Sequence, residues 1–238
     1  MGWVFPTSPW DRAARLKAEG NRLRTKAGGW GRGRAVGGDA VTGVPVGDTG
    51  AVTSHHHEPG LLADASVRTG RVSDAPAVGL VQAIVWRDAF ADLVPPEVLE
   101  AFEGPAFASV WRRSLQDPPT TLHRLLVACA GDQVVGFVAI GPAEVTDDTV
   151  STTDGELSVL AVHPDARRAG HGSRLLNAAA DTLRAGDRTA VLAWLPSTDE
   201  QSRAFTDAAG LVPDGAWRER VVGPGGETIR EIRVRADL

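Results

Sequence analysis

The stretch 155–185, GELSVLAVHPDARRAGHGSRLLNAAADTLRA, decides how the rest of the chain is organised. Its periodicity changes halfway. Glu156 to Val162 reads as a strand, ended by Pro164, which cannot donate to a sheet ladder. From Ser173 the apolar residues Leu175, Leu176, Ala179 and Leu183 recur at helical spacing, with Arg174, Asn177, Asp181 and Arg184 opposite. Between them lies a short loop, Asp165 to Gly172.

That geometry carries chemistry. A helix start leaves backbone N–H groups without partners and holds partial positive charge. Gly170 and Gly172 have no Cβ, so a ligand can come close to the backbone. Successive amides in such a loop form an anion nest, and Arg167 and Arg168 add full charges beside it. A phosphate or diphosphate is the expected guest. Two familiar phosphate loops do not fit. The Walker pattern needs Gly-Lys-Ser/Thr, and no lysine follows Lys26. The dinucleotide pattern needs a third glycine where Leu175 stands.

What the loop does match is Arg-x-x-Gly-x-Gly, at Arg167, Gly170 and Gly172, preceded by Leu160-Ala161-Val162-His163-Pro164. In this it resembles the acyl-CoA loop of the GNAT N-acetyltransferase superfamily. The resemblance extends along residues 67–238 as the order β-α-α-(α)-β-β-β-α-β-α-β-β. It implies an α/β fold: a mixed central sheet of six to seven strands flanked by helices, with a V-shaped splay between the fourth and fifth strands. It also implies acetyl-CoA as co-substrate, with no metal. The pantetheine arm would pair with the backbone of Leu160, Ala161 and Val162. The diphosphate would sit on Arg167, Arg168, Ala169, Gly170, His171, Gly172 and Ser173. An amine would attack the thioester directly, with a backbone N–H near Leu160 or Val162 as oxyanion donor. Glu156 is the best placed carboxylate to act as base, through water, although a solvated strand-end charge explains it equally well. The family's Asn-x-x-Ala-x-x-Phe-Tyr motif has its counterpart from Asp199 through Ser202, Phe205 and Thr206. The resemblance makes Asp199, in the asparagine's place, a cofactor-binding residue, and it puts Thr206 in the place of the tyrosine that often protonates the departing thiolate. The chain contains no tyrosine. Either water or another group supplies that proton, or catalysis is slow, or the domain only binds acyl-CoA.

Composition bounds the rest. With 238 residues and 42% hydrophobic content, one or two domains with a sizeable core are expected. Residues 1–40 hold eight Lys or Arg against Asp11, Glu19 and Asp39, so the net −5 leaves the remainder at −10. An acidic body suits a cationic amine, whether a small molecule or a peptide, better than nucleic acid. Cys129, the single cysteine, excludes an internal disulfide and lies in an apolar run, as a buried inert thiol does. No run is long enough to span a membrane and no secretory signal is evident, so a cytoplasmic setting is the default. A homodimer is compatible with the sequence.

Residues 1–65, with a Gly/Arg run at 27–38, read as a basic, disordered tail, and 66–238 as the acyltransferase domain. His55, His56 and His57 are neighbours in that tail, and adjacent loop residues rarely converge on one metal. Val67 to Val72 reads as the first strand, followed by a helix capped by Asp74 with Pro76 in its first turn. Helical stretches begin at Pro95-Pro96 and at Pro105. His123–Ala130 and Gln133–Gly141 form a hairpin around Gly131-Asp132. The loop 142–154, carrying Asp147, Asp148 and Asp154, reads as solvated rather than as one wall of an amine-binding mouth. Thr189–Leu195 is the fifth strand, Asp199–Ala208 a helix, and 216–222 with 227–234 a closing pair of strands. Acceptor specificity would lie in loops 92–120, 142–154 and 213–228. Two functions follow: an acetyl-CoA-dependent N-acetyltransferase, or a non-catalytic acyl-CoA-binding protein.

Overall fold

The computed structural model describes residues 65–222 and 226–238. The tail read over residues 1–65, with its three histidines, lies outside the described residues except at Ala65. Seven strands form one sheet in the order β1-β2-β3-β4-β5-β7-β6. They are β1 (Ala65–Thr69), β2 (Arg124–Ala130), β3 (Gln133–Pro142), β4 (Asp154–Val162), β5 (Ala190–Pro196), β6 (Val212–Val221) and β7 (Thr228–Asp237). Only β4 and β5 run parallel; the other neighbours are antiparallel. The helices are α1 (Ala75–Ala89), α2 (Pro96–Glu100), α3 (Gly104–Gln116), α4 (His171–Ala185) and α5 (Glu200–Ala208).

The sheet is covered on both faces, which is why β2 and β3 read as continuous apolar runs rather than as alternating ones. Leu125, Val127, Cys129, Phe137 and Ala139 pack with α1 and α3 on one face. Leu126, Ala128, Val138, Ile140 and Leu157 pack with α4 on the other. The α4 stripe is the one read from the sequence: Leu175, Leu176, Ala179 and Leu183 are all buried. Each large member of it contributes about 1.5–3 kcal/mol by leaving water. Cys129 is buried, 3% exposed. Trp111 is 1% exposed, and its indole N–H donates to Gln82 Oε1 at 2.6 Å, satisfying a buried donor where α3 crosses α1.

Two local readings change. The first strand is Ala65–Thr69, not Val67–Val72, because Val72 already begins a 3-10 turn into α1. Asp74 precedes α1 but makes no side-chain cap bond. Its carboxylate instead accepts from the Arg68 guanidinium at 2.7 and 2.8 Å and from the Arg71 N–H at 2.7 Å. The Arg68 bond holds its carboxyl below the usual carboxylate range.

Candidate active site

The site begins where β4 and β5 part. They pair in parallel over only four positions, Asp154–Leu157 against Ala190–Ala193. Beyond Leu157, β4 stays with β3 as far as Val162, while β5 stays with β7 as far as Pro196. The register of β4 against β3 slips between Ala139 and Ile140, whose partners are Val159 and Leu157, leaving Ser158 as the extra residue. A bulge bends and twists its strand, and this one sits where the separation starts. The splay expected between the fourth and fifth strands is therefore present.

The gap has backbone groups facing it. The His163 N–H donates to the Val135 carbonyl at 2.8 Å, and Ala161 and Val159 lie opposite Phe137 and Ala139 in the same ladder. Antiparallel pairs alternate between bonded and non-bonded, so the amides of Ala161 and Val159 turn toward β3. Those of Leu160 and Val162 turn the other way, into the gap. Ala161 turns its groups elsewhere: its side chain is 2% exposed within the cluster under α1 and its amide faces β3.

The loop at the end of β4 is a 3-10 turn, Pro164–Ala166, followed by two left-handed residues, Arg168 (φ 63°) and Gly170 (φ 79°). Glycine suits such a φ, and an arginine held there costs energy. The helix starts at His171, two residues before the expected Ser173, with Gly170 as N-cap. The Arg167 N–H is used internally, by the Pro164 carbonyl at 3.1 Å. The N–H groups of Arg168, Ala169, Gly170, His171, Gly172 and Ser173 meet no acceptor among the described residues. Six backbone donors thus gather at the positive end of a 15-residue helix.

Gly172 stands at the crossing of three elements. A Cβ built on it would lie 3.5 Å from the Phe205 ring of α5 and 3.8 Å from Val162 Cγ2 of β4. The space between β4, the start of α4 and α5 is bounded there. Asp199, proposed for the ligand, caps α5, accepting from the Ser202 N–H at 2.9 Å. Thr206, in the tyrosine's place, is 6% exposed, and its hydroxyl donates to the Ser202 and Arg203 carbonyls at 2.9 and 3.0 Å. Arg167 reaches away from α4: its Nε donates to the Val162 carbonyl at 3.4 Å and its terminal nitrogen to Asp88 of α1 at 3.0 Å.

His171 is 4% exposed, and its Nδ1 is buried without a partner. Burial first, then the charge of Arg174, holds the imidazole below its ordinary value of 6.5. His123 is lowered too, by burial. For a histidine lowered on folding, the unfolded chain binds more protons as pH falls through about 6.5. Stability is therefore lost on acidification. The melting temperature is expected to fall between about pH 7 and pH 5, and His171→Gln to flatten that fall, measured by calorimetry in matched buffers.

Glu156 is the third residue of β4, not its first, with Gly141 on one side and Leu192 on the other. It is 8% exposed, so it is no solvated strand-end charge. It lies one residue before β4 and β5 separate. Charge continues across the neighbouring strands. Arg218 of β6 lies 4.1 Å from the Trp194 ring of β5 and bonds Glu231 of β7. Arg220 lies 3.4 Å from the same carboxylate and 5.8 Å from the Phe90 ring just beyond α1. Arg233, 1% exposed, binds Asp147 at 2.9 Å and Asp214 at 2.6 Å. The loop 142–154 is thus only partly solvated. Asp148 is exposed, but Asp147 is tied to β7 and Asp154, fully buried, pairs with Arg235 at 2.6 Å. Sequence reasoning missed this network. Its signal was the charge at alternate positions, Arg218 and Arg220, then Glu231, Arg233 and Arg235. Among the described residues no group of three or more His, Cys, Asp or Glu is placed to hold a metal ion.

A mixed sheet with one splayed parallel pair, leading into a loop of outward amides, is the α/β arrangement that the sequence resemblance implied. Residues 86–210, more than half of the chain, match the model of the Acetyltransferase (GNAT) family. The chain belongs to that family. The probable N-acetyltransferase Rv2775 of Mycobacterium tuberculosis is 24% identical over 153 residues, 63% of this chain and 80% of that protein. Among solved structures, the PaiA N-acetyltransferase of Thermoplasma acidophilum in complex with coenzyme A superposes with TM-score 0.53 at 16% identity. The match covers 71% of this chain and 98% of PaiA. YncA of Salmonella typhimurium, solved with acetyl-CoA, gives TM-score 0.54 at 17% identity, covering 73% and 94%. At such identities these two likenesses speak for the fold.

Proposed function

We propose that residues 66–238 form an acyltransferase domain that moves an acetyl group from acetyl-CoA to an amine by direct attack. The observation that carries this reading is the gap beyond Leu157 and Ala193, with the Leu160 and Val162 amides turned into it and the amides of residues 168–173 at its end. The residues present fit acetyl-CoA. The amides of His171, Gly172 and Ser173, with Arg168 beside them, would hold the diphosphate. Leu160 and Val162 would pair with the pantetheine arm as an added strand does, and one of their N–H groups would face the developing oxyanion. When bound, acetyl-CoA supplies the activated acetyl group. Glu156 takes the proton from the incoming amine, directly or through one water. The acceptor, a small molecule or a peptide, enters over the face holding Glu156 and Trp194. A cytoplasmic setting suits the reaction, and no helix among the described residues is long and apolar enough to cross a membrane.

One observation favours a second reading, a domain that binds acyl-CoA without turning it over. Both carbonyls that Thr206 serves belong to its own helix, so its hydroxyl is occupied, and the chain has no tyrosine. Release of free CoA thiol across a panel of amines separates the two.

The binding step has its own test. A Cβ at Gly172 finds ordinary contact distances, so Gly172→Ala should fold normally. A longer side chain extends into the space between Val162 and Phe205. Gly172→Leu is expected to weaken acetyl-CoA binding by at least about tenfold, about 1.4 kcal/mol, by calorimetry. Equal affinity in the two variants would place the ligand elsewhere, and no binding by the unaltered protein would end the reading.

A further inference from the structure

Arg167 and Asp88 lie 79 positions apart in the chain and meet at 3.0 Å. Asp88 is the next-to-last residue of α1. A helix C-terminus favours cations, so a carboxylate there is unfavourable unless something compensates it. The Arg167 guanidinium does so. The same side chain places its Nε 3.4 Å from the Val162 carbonyl. That carbonyl belongs to the non-bonded side of the β3–β4 ladder and so faces the gap. Arg167 therefore lies across the outer end of the gap, bonded to a backbone group that an extended ligand would need. The next residue, Arg168, is held at φ 63°, a left-handed conformation that costs a non-glycine residue energy.

We propose that Asp88 is a positioning residue that latches Arg167 across the mouth of the acyl-CoA cleft, and that binding requires Arg167 to leave Asp88 and turn to the diphosphate. The inference rests on the reading above that acetyl-CoA occupies the gap. In the latched state Arg167 is neutralised by Asp88 and blocks Val162; in the open state it pairs with the ligand's anionic end. The observed affinity is reduced by the fraction of molecules held latched. The pair is partly exposed, at 31% and 56% for the two side chains, so its strength is that of a surface ion pair.

The test is calorimetric titration of acetyl-CoA into the full chain and into Asp88→Asn, Arg167→Gln and the double variant. Asp88→Asn removes an unfavourable helix-end charge along with the ion pair that offsets it, so it is expected to fold, with a melting temperature close to that of the unaltered protein. It should tighten acetyl-CoA binding about two- to fivefold, the range an exposed ion pair spans. In the Arg167→Gln background the same change should have no effect, since the latch is already gone. Unchanged or weaker binding by Asp88→Asn overturns the latch, as does a gain that persists without Arg167. Absence of acetyl-CoA binding by every version, the unaltered chain included, overturns the proposed function instead.

Discussion

Glu156→Gln is expected to lower kcat by about 10²-fold or more while leaving acetyl-CoA affinity within about twofold, the signature of a lost general base rather than a lost binding group. Glutamine keeps the size of the side chain, so the buried strand position between Gly141 and Leu192 should not collapse. What it removes is the ability to take a proton. Glu156 lies one residue before the strands separate, on the strand that then presents Leu160 and Val162 to the gap. On the proposed reading, that puts the base near the carbonyl under attack and away from the amides that would hold the diphosphate. The measurement is CoA thiol release against acceptor concentration, paired with calorimetry for acetyl-CoA. A variant that keeps full kcat would assign the proton transfer to another group. A variant that loses acetyl-CoA binding would make Glu156 structural.

The largest effect on stability is expected at Gly79. A Cβ on this residue of α1 would lie 2.5 Å from both the Ala108 N and the Gly104 carbonyl oxygen of α3. Those are backbone atoms, and they cannot rotate aside. Gly79→Val would have to push α3 off α1, opening the buried contact of Trp111 with Gln82 and the aromatic cluster of Trp86, Phe102 and Phe107. A loss of about 3 kcal/mol or more is expected, at the upper end of overpacking costs because two helix backbones must separate. Urea unfolding of the two proteins would measure it, and a loss below about 1 kcal/mol would mean that the crossing adjusts. Because α1 ends at Ala89, just past Asp88, acetyl-CoA binding should change along with it.

Much of the architecture was legible because local patterns and tertiary packing agree. The helical stripe of α4 is amphipathic enough to be read directly, and every residue named in it is buried. Gly131, at φ 57°, makes the hairpin turn between β2 and β3 that its sequence signals. The loop after β4 was legible for the same reason. A helix N-terminus exposes amides whatever surrounds it, and a left-handed Gly170 turns the chain into that helix.

What remained hidden depended on contacts distant in sequence. Asp74 looked like a helix cap because its spacing is right, but Arg68 on the preceding strand takes the carboxylate more strongly. Asp147 and Asp154 looked solvated because their neighbours are polar. Arg233 and Arg235, more than 80 positions later, draw them onto the sheet. The motif around Arg167 gave no sign of its bond to Asp88, on a helix that ends 78 positions earlier, at Ala89.

Residue order alone determined the strand–loop–helix unit, because periodicity, proline and glycine act through local backbone preference, which no distant residue needs to supply. Tertiary structure alone decided how many positions β4 and β5 pair before they separate, that β7 lies between β5 and β6, and which carboxylate each arginine meets. Those outcomes depend on which surfaces are brought together. An ion pair or a strand register is selected by the whole fold at once, through burial and geometry that no single segment encodes.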